Sequence, residues 1–197
     1  MLKIQHLNQE FEVEEGINGF QLIKKIISDN EIAKKIIAIT TDGTIKDLST
    51  TITENSTITF ILNNSETGLD IIKHSTAHLL AYAVQELYGN KVQFAIGPSI
   101  ENGFYYDFDI DTPFSEDDLE KITSKMNELI KQDDKFIREV WDKDEAIKYF
   151  AKNNQNYKVE LINDLDQNEK ISIYKVGNFT DLCRGPHIPS TRYLKNF

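Results

Sequence analysis

Cysteine occurs once in this sequence and proline four times, and no unbroken apolar run approaches the roughly 18 residues a membrane-spanning helix needs. A lone cysteine excludes an internal disulfide framework and leaves Cys183 as a buried thiol, a reactive one or a ligand. The opening Met1-Leu2-Lys3-Ile4-Gln5-His6 runs on into Asn and acids and is not a secretory leader, so a cytoplasmic protein is expected. Basic residues are the scarcer charge: 22 Lys and Arg stand against 32 Asp and Glu, a formal net charge of −10 with histidines neutral. That balance argues against sticky, non-specific nucleic-acid binding, which needs clustered Lys and Arg to neutralise phosphates. It leaves room for docking at the end of an RNA strand as part of a larger, differently charged protein.

What is present suits a globular chain. With 197 residues, 40% of them hydrophobic and 27% charged, it has material for one large domain or two modest ones. Residues 1–63 read as the first. Leu2-Lys3-Ile4 and Phe11-Glu12-Val13 alternate apolar and polar around a polar turn, as in a half-buried hairpin. Phe20, Leu22, Ile23, Ile26 and Ile27 then recur at helical spacing. A strand over 35–39 leads into Asp42-Gly43, a strong hairpin dipeptide, and Thr57 to Leu62 closes the unit. The order ββαβ…β predicts a helix on one face of a mixed sheet, as in a β-grasp, ubiquitin-like module.

Asn63-Asn64-Ser65-Glu66 reads as a short polar linker, and residues 64–197 as a second, α+β domain. Thr67 with Asp70 has capping-box spacing at the head of a helix whose stripe is Leu69, Ile72, Leu79, Leu80, Ala83, Val84 and Leu87, ended by Gly89. Strands are expected over 92–96 and 104–108. A helix from Ser115 should turn Leu119, Ile122, Met126, Leu129 and Ile130 inward. Another helix begins near Asp142, with Glu145 at capping-box spacing, and strands follow over 158–162 and 171–176.

Two motifs carry chemistry. His74-Ser75-Thr76-Ala77-His78 sets two imidazoles one turn apart on one helix face, which suits two ligands of one metal or two groups flanking one substrate. No Glu follows His74, so this is not a zinc-protease H-E-x-x-H. In Asp181-Leu182-Cys183-Arg184-Gly185-Pro186-His187, Gly185-Pro186 forces a turn that can return Cys183 and His187 toward one place. Alone, two His on a helix are more often a packed or solvated coincidence, and the Cys–His stretch also reads as a buried Cys before a structural loop, since free Cys is among the most buried residue types. Together they offer three imidazoles and a thiol. Such a set can bind Zn2+ tetrahedrally, or form a metal-free pocket that moves protons and positions water. His6, the remaining histidine, is expected on the surface of the first unit.

At these residues the chain resembles the N-terminal part of bacterial threonyl-tRNA synthetases, a TGS domain followed by an editing domain. The resemblance also rests on Ala95-Ile96-Gly97-Pro98 and Glu101-Asn102-Gly103-Phe104-Tyr105-Tyr106-Asp107. The H-x-x-x-H…C-x-x-x-H pattern is shared with alanyl-tRNA synthetases, and Glu101 to Asp107 and Asp181 to His187 favour the threonyl type. The resemblance implies hydrolysis of mischarged Ser-tRNA(Thr) at its 3′ terminal adenosine. Serine lacks one methyl of threonine, worth only about 1–3 kcal/mol of discrimination, so a second sieve must remove it. His74 is then implied in water positioning or proton transfer and Lys158 as its partner. His78, Cys183 and His187 would shape the catalytic pocket, and Asp181, Tyr105, Gly97 and Arg184 would bind substrate.

No cofactor is expected for that reaction. Zinc on His74, His78, Cys183 and His187, as in the alanyl type, is the less favoured alternative. ATP and a catalytic zinc belong to an aminoacylation core that this sequence lacks, so ligase activity is not expected and the chain reads as a piece of a longer, dimeric synthetase. Three rivals stand beside this reading: a free-standing editing protein acting in trans, a non-catalytic zinc-stabilised RNA-binding module, and a ubiquitin-like interaction protein.

Overall fold

The computed structural model describes residues 1–167 and 169–194, with the backbone alone at Asn90. The last three residues of the expected second domain therefore lie outside the described residues. The chain forms two compact units, Met1–Ile72 with Gly185–Pro189, and Lys73–Arg184 with the residues from Ser190 on.

In the first unit β1 (Leu2–His6) and β2 (Gln9–Val13) pair antiparallel from Leu2↔Val13 to His6↔Gln9, the expected hairpin. The helix α1 (Gly19–Ile26) is capped by Asn18, whose side chain and that of Gln21 satisfy each other's backbone N–H groups. A short α2 (Asn30–Ala33) precedes β3 (Ile36–Thr41) and β4 (Thr44–Asp47), joined through Asp42 and Gly43, both at positive φ. β5 (Ser56–Leu62) lies between β1 and β3, parallel to the first and antiparallel to the second, giving the order β2-β1-β5-β3-β4. Ile4, Val13, Leu22, Ile23, Ile36, Ile39, Leu48, Ile52 and Ile58 form the core.

Two expectations change here. Phe20 is 39% exposed, because Gly19 is pressed so closely on Leu48 that a Cβ would meet its backbone at 2.9 Å, which turns the neighbouring Phe20 outward. His6 is half-buried, its Nδ1 3.0 Å from the Ile58 carbonyl and its ring edge-on to Phe60.

The long helix α3 (Glu66–Tyr88) starts earlier than expected. Ser65, not Thr67, caps it: the Ser65 hydroxyl accepts the Gly68 N–H at 3.1 Å and donates to the Leu62 carbonyl at 2.7 Å. Its middle, Ser75–Leu79 and Ala81–Val84, is buried on every face, which leaves Leu69 and Leu87 at its ends exposed.

In the second unit β6 (Val92–Phe94) pairs with β9 (Phe108–Ile110), and β7 (Ser99–Ile100) with β8 (Gly103–Phe104). The single strand expected over 104–108 is thus two short ones, divided because each end finds a different partner. α4 (Glu116–Gln132) begins with the Ser115–Asp118 capping box and buries Ile122, Met126 and Leu129, while Leu119 is 55% exposed. β10 (Phe136–Trp141), β11 (Ile171–Val176) and β12 (Phe179–Leu182) form an antiparallel sheet in that order. Between them lie α5 (Lys143–Lys152) and α6 (Asn156–Asn163).

The segment expected as a strand over 158–162 is therefore helical. Its alternation of polar and apolar residues masks the pair that decides the matter, Lys158 and Ile162, which are four apart and buried on one helix face. Ile162 joins Ala146, Phe150, Ile171 and Ile173 in the core of this unit. Asp142 precedes α5 as expected but makes no side-chain cap; its carboxylate pairs with Lys170 instead.

Candidate active site

His74 and His78 both lie on α3, one turn apart, with their rings edge to face at 5.0 Å. His74 is half-buried and His78 is 3% exposed. Cys183, just beyond the end of β12, brings its Sγ within 3.1 Å of His74 Nε2. The ligand atoms of His74, His78 and Cys183 all fall within 4.8 Å of one another.

Behind His78 sits a buried charged group that the sequence does not announce as a unit. Lys158, from α6, places Nζ 2.5 Å from Asp181 Oδ1, and both side chains are 3% exposed. The Tyr106 hydroxyl donates to Asp181 Oδ2 at 2.6 Å and accepts from Lys158 Nζ at 3.3 Å. His78 Nδ1 stands 3.7 Å from Asp181 Oδ2. A buried ion pair of this kind holds only where further hydrogen bonds meet the remaining charge, as Tyr106 does here.

Burial sets the protonation of the imidazoles. It pushes His78 down to about 3 against the attraction of Asp181, with the charge of Lys158 adding to the depression. His74 is also lowered by burial, opposed by a hydrogen bond with the Gly97 backbone and by Asp181. Burial alone would raise Asp181, yet Lys158, His78 and Tyr106 hold its carboxyl below the usual range. Tyr106 is raised well above an ordinary phenol by burial and by Asp181, so it keeps its proton. At neutral pH the site thus contains neutral imidazoles beside a carboxylate that Lys158 pairs.

Local geometry explains how the chain places these groups. At Gly97 a Cβ would lie 2.2 Å from the Tyr106 ring, so only glycine lets that ring seat. Phe94 and Phe108 pack against Tyr106 at 6.1 and 5.1 Å between centroids, and Phe179 packs against Phe94 at 5.5 Å. Of the residues singled out from sequence, His74, His78, Lys158, Asp181, Cys183 and Gly97 come together in the second unit. Tyr105 is 41% exposed and Arg184 is exposed, so neither joins the buried group. His187 is buried within the segment that belongs to the first unit, its backbone N–H donating to Asp47 Oδ1 at 2.8 Å.

Sequence reasoning missed Tyr106. The signal for it was the Tyr105-Tyr106 doublet itself: in extended chain neighbours face opposite ways, so one tyrosine had to point inward. For a metal, His74, His78 and Cys183 offer two nitrogens and a sulfur, a donor set that suits zinc.

Residues 171–197 match a protein family described as the threonyl and alanyl tRNA synthetase second additional domain. That stretch spans β11, β12 and the Cys183 loop. Beyond it the likeness extends over most of the chain. A threonine–tRNA ligase of Ehrlichia canis is 48% identical over 182 residues, 92% of this chain and 28% of the relative. Those of Alkalilimnicola ehrlichii and Rhodospirillum rubrum are 50% and 49% identical over 84% and 83% of this chain, and 26% and 25% of the relatives. Threonine–tRNA ligases are therefore homologues of this chain, which spans about a quarter of their length.

Proposed function

We propose that this chain removes serine from mischarged Ser-tRNA(Thr) by hydrolysing the ester at the 3′ terminal adenosine. Residues 1–63 would be a β-grasp TGS domain and residues 64–197 the editing domain. The observation that carries the reading is the buried Lys158–Asp181–Tyr106 group set against two neutral imidazoles and a thiol. Ester hydrolysis needs a base for water, a fixed positive charge for the tetrahedral oxyanion, and a proton for the leaving ribose oxygen. His74, half-exposed and neutral, takes the proton of the attacking water as its oxygen bonds to the ester carbon. The Lys158 side chain supplies the fixed charge, and the C–O bond to the ribose breaks as His74 passes the proton it took to that oxygen, leaving free serine and the tRNA 3′ end. Asp181 and Gly97 would border the amino acid. Tyr105 and Arg184, being exposed, would meet the RNA end from outside.

The reaction is proposed to need no metal. Were zinc bound, His74, His78 and Cys183 would hold it, and it would act as a Lewis acid or close the fold. The donor set keeps that second reading, a zinc-stabilised RNA-binding module, in view.

The test is deacylation of Ser-tRNA(Thr) by the chain and by its His74→Ala and Lys158→Ala variants, with and without chelator. The expected result is a loss of at least 100-fold in both variants, with His74→Ala keeping its melting temperature, and indifference to chelator. Absence of deacylation together with melting on chelation would replace the editing reading by the zinc module.

A further inference from the structure

Gln155 occupies the N-cap position of α6, three residues before Lys158, yet its side chain caps nothing in the helix. It reaches across to β6 instead. Its Oε1 accepts the Phe94 N–H at 2.8 Å and its Nε2 donates to the Val92 carbonyl at 3.1 Å, so the side-chain amide stands in for a neighbouring strand. Next to it the Asn156 N–H donates to Gln93 Oε1 at 3.2 Å, and at the following residue the Tyr157 hydroxyl donates to Asp109 on β9 at 3.0 Å. The β6–β9 ribbon so held carries Phe94, whose ring packs on Tyr106, and Tyr106 in turn bonds both Lys158 and Asp181. The contacts close a circuit: Gln155 to the Phe94 backbone, Phe94 ring to Tyr106 ring, Tyr106 hydroxyl to Lys158, and one helical turn back to Gln155.

We infer that Gln155 is a positioning residue for Lys158, its side-chain amide locking α6 to β6 so that the ammonium is held on Asp181 and Tyr106. This rests on the editing function proposed above. A helix free to slide by about 1 Å would move the ammonium off the oxyanion position, a displacement that can cost roughly 100-fold in rate.

The experiment compares the chain with Gln155→Ala, Gln155→Glu and, as a control on the same turn, Asn153→Ala, whose side chain donates only to the Tyr149 carbonyl. Two quantities are read: kcat and KM for Ser-tRNA(Thr), and the labelling rate of Lys158 by a soluble amine reagent relative to Lys143. Lys143 is also buried but bonds the Asn163 and Leu165 carbonyls, so it reports general loosening. Gln155→Ala should lower kcat at least tenfold with KM within twofold, and raise Lys158 labelling severalfold while Lys143 is unchanged. Gln155→Glu, which still accepts the Phe94 N–H, should recover part of both, and Asn153→Ala should change neither. An unaltered Lys158 to Lys143 labelling ratio in Gln155→Ala would overturn the inference, as would parallel rises at both lysines. If the unaltered chain fails to deacylate, the proposed function falls, while the labelling ratio still decides whether Gln155 holds Lys158.

Discussion

Neutral His78 and ionised Asp181 are both products of the same buried pocket, and both tie stability to pH. His78 has an ordinary value near 6.5 in the unfolded chain and about 3 when folded. Between those values the unfolded state binds the proton and the folded state does not, so stability is full above 6.5 and declines as pH falls toward 3. Each buried neutral histidine contributes a slope of at most about 1.4 kcal/mol per pH unit. Asp181, lowered on folding, adds a further loss as the pH drops below the ordinary carboxylate range. Thermal melts between pH 7.5 and 4 should therefore show a falling melting temperature, and His78→Gln should flatten it. A wild-type melting temperature constant over that span would contradict the assignment of a neutral, buried His78. Motif spacing announces His74, His78 and Cys183 in the sequence, whereas Lys158 and Asp181 are implied in the site only by the resemblance. Tyr106 was not legible, because an adjacent tyrosine of the same type stands beside it and only the bare face of Gly97 selects between them.

The elements that carry these side chains depend on caps and on packing in different measure. Ser65 satisfies the Gly68 N–H at the head of the helix bearing both histidines, and Ser65→Ala should cost about 1 kcal/mol in urea unfolding, whereas Thr67→Ala should change little. The reverse order would place the cap at Thr67. The Asn63–Glu66 stretch clusters polar residues and so reads as linker, while the cap, Ser65, lies inside it. Elements with a clean period were legible: the β1–β2 hairpin, the Asp42-Gly43 turn and the helix that starts at Ser115. α6 was not, since a buried lysine breaks the apolar stripe that marks a helix, and the ion pair with Asp181 that makes its burial tolerable is 23 residues away in sequence. β10 was missed for a related reason. As an edge strand it exposes Ile137, Arg138 and Val140 on both faces and so lacks alternation.

Across the whole chain, a net charge of −10 leaves little to attract RNA at a distance, so the proposed role asks the pocket rather than long-range affinity for its specificity. Among the described residues no helix is long and apolar enough to cross a membrane. The homologues are threonine–tRNA ligases, and an error of one missing methyl is one that binding alone corrects poorly. The measurement that bears most directly on the proposed role is the ratio of hydrolysis rates for Ser-tRNA(Thr) and Thr-tRNA(Thr) with the 197-residue chain under single-turnover conditions. A pocket that admits serine and excludes the threonine methyl should favour the seryl ester by at least tenfold, about 1.4 kcal/mol. Equal rates for the two esters, or faster loss of threonine, would contradict an editing sieve built on Lys158, Asp181 and His74.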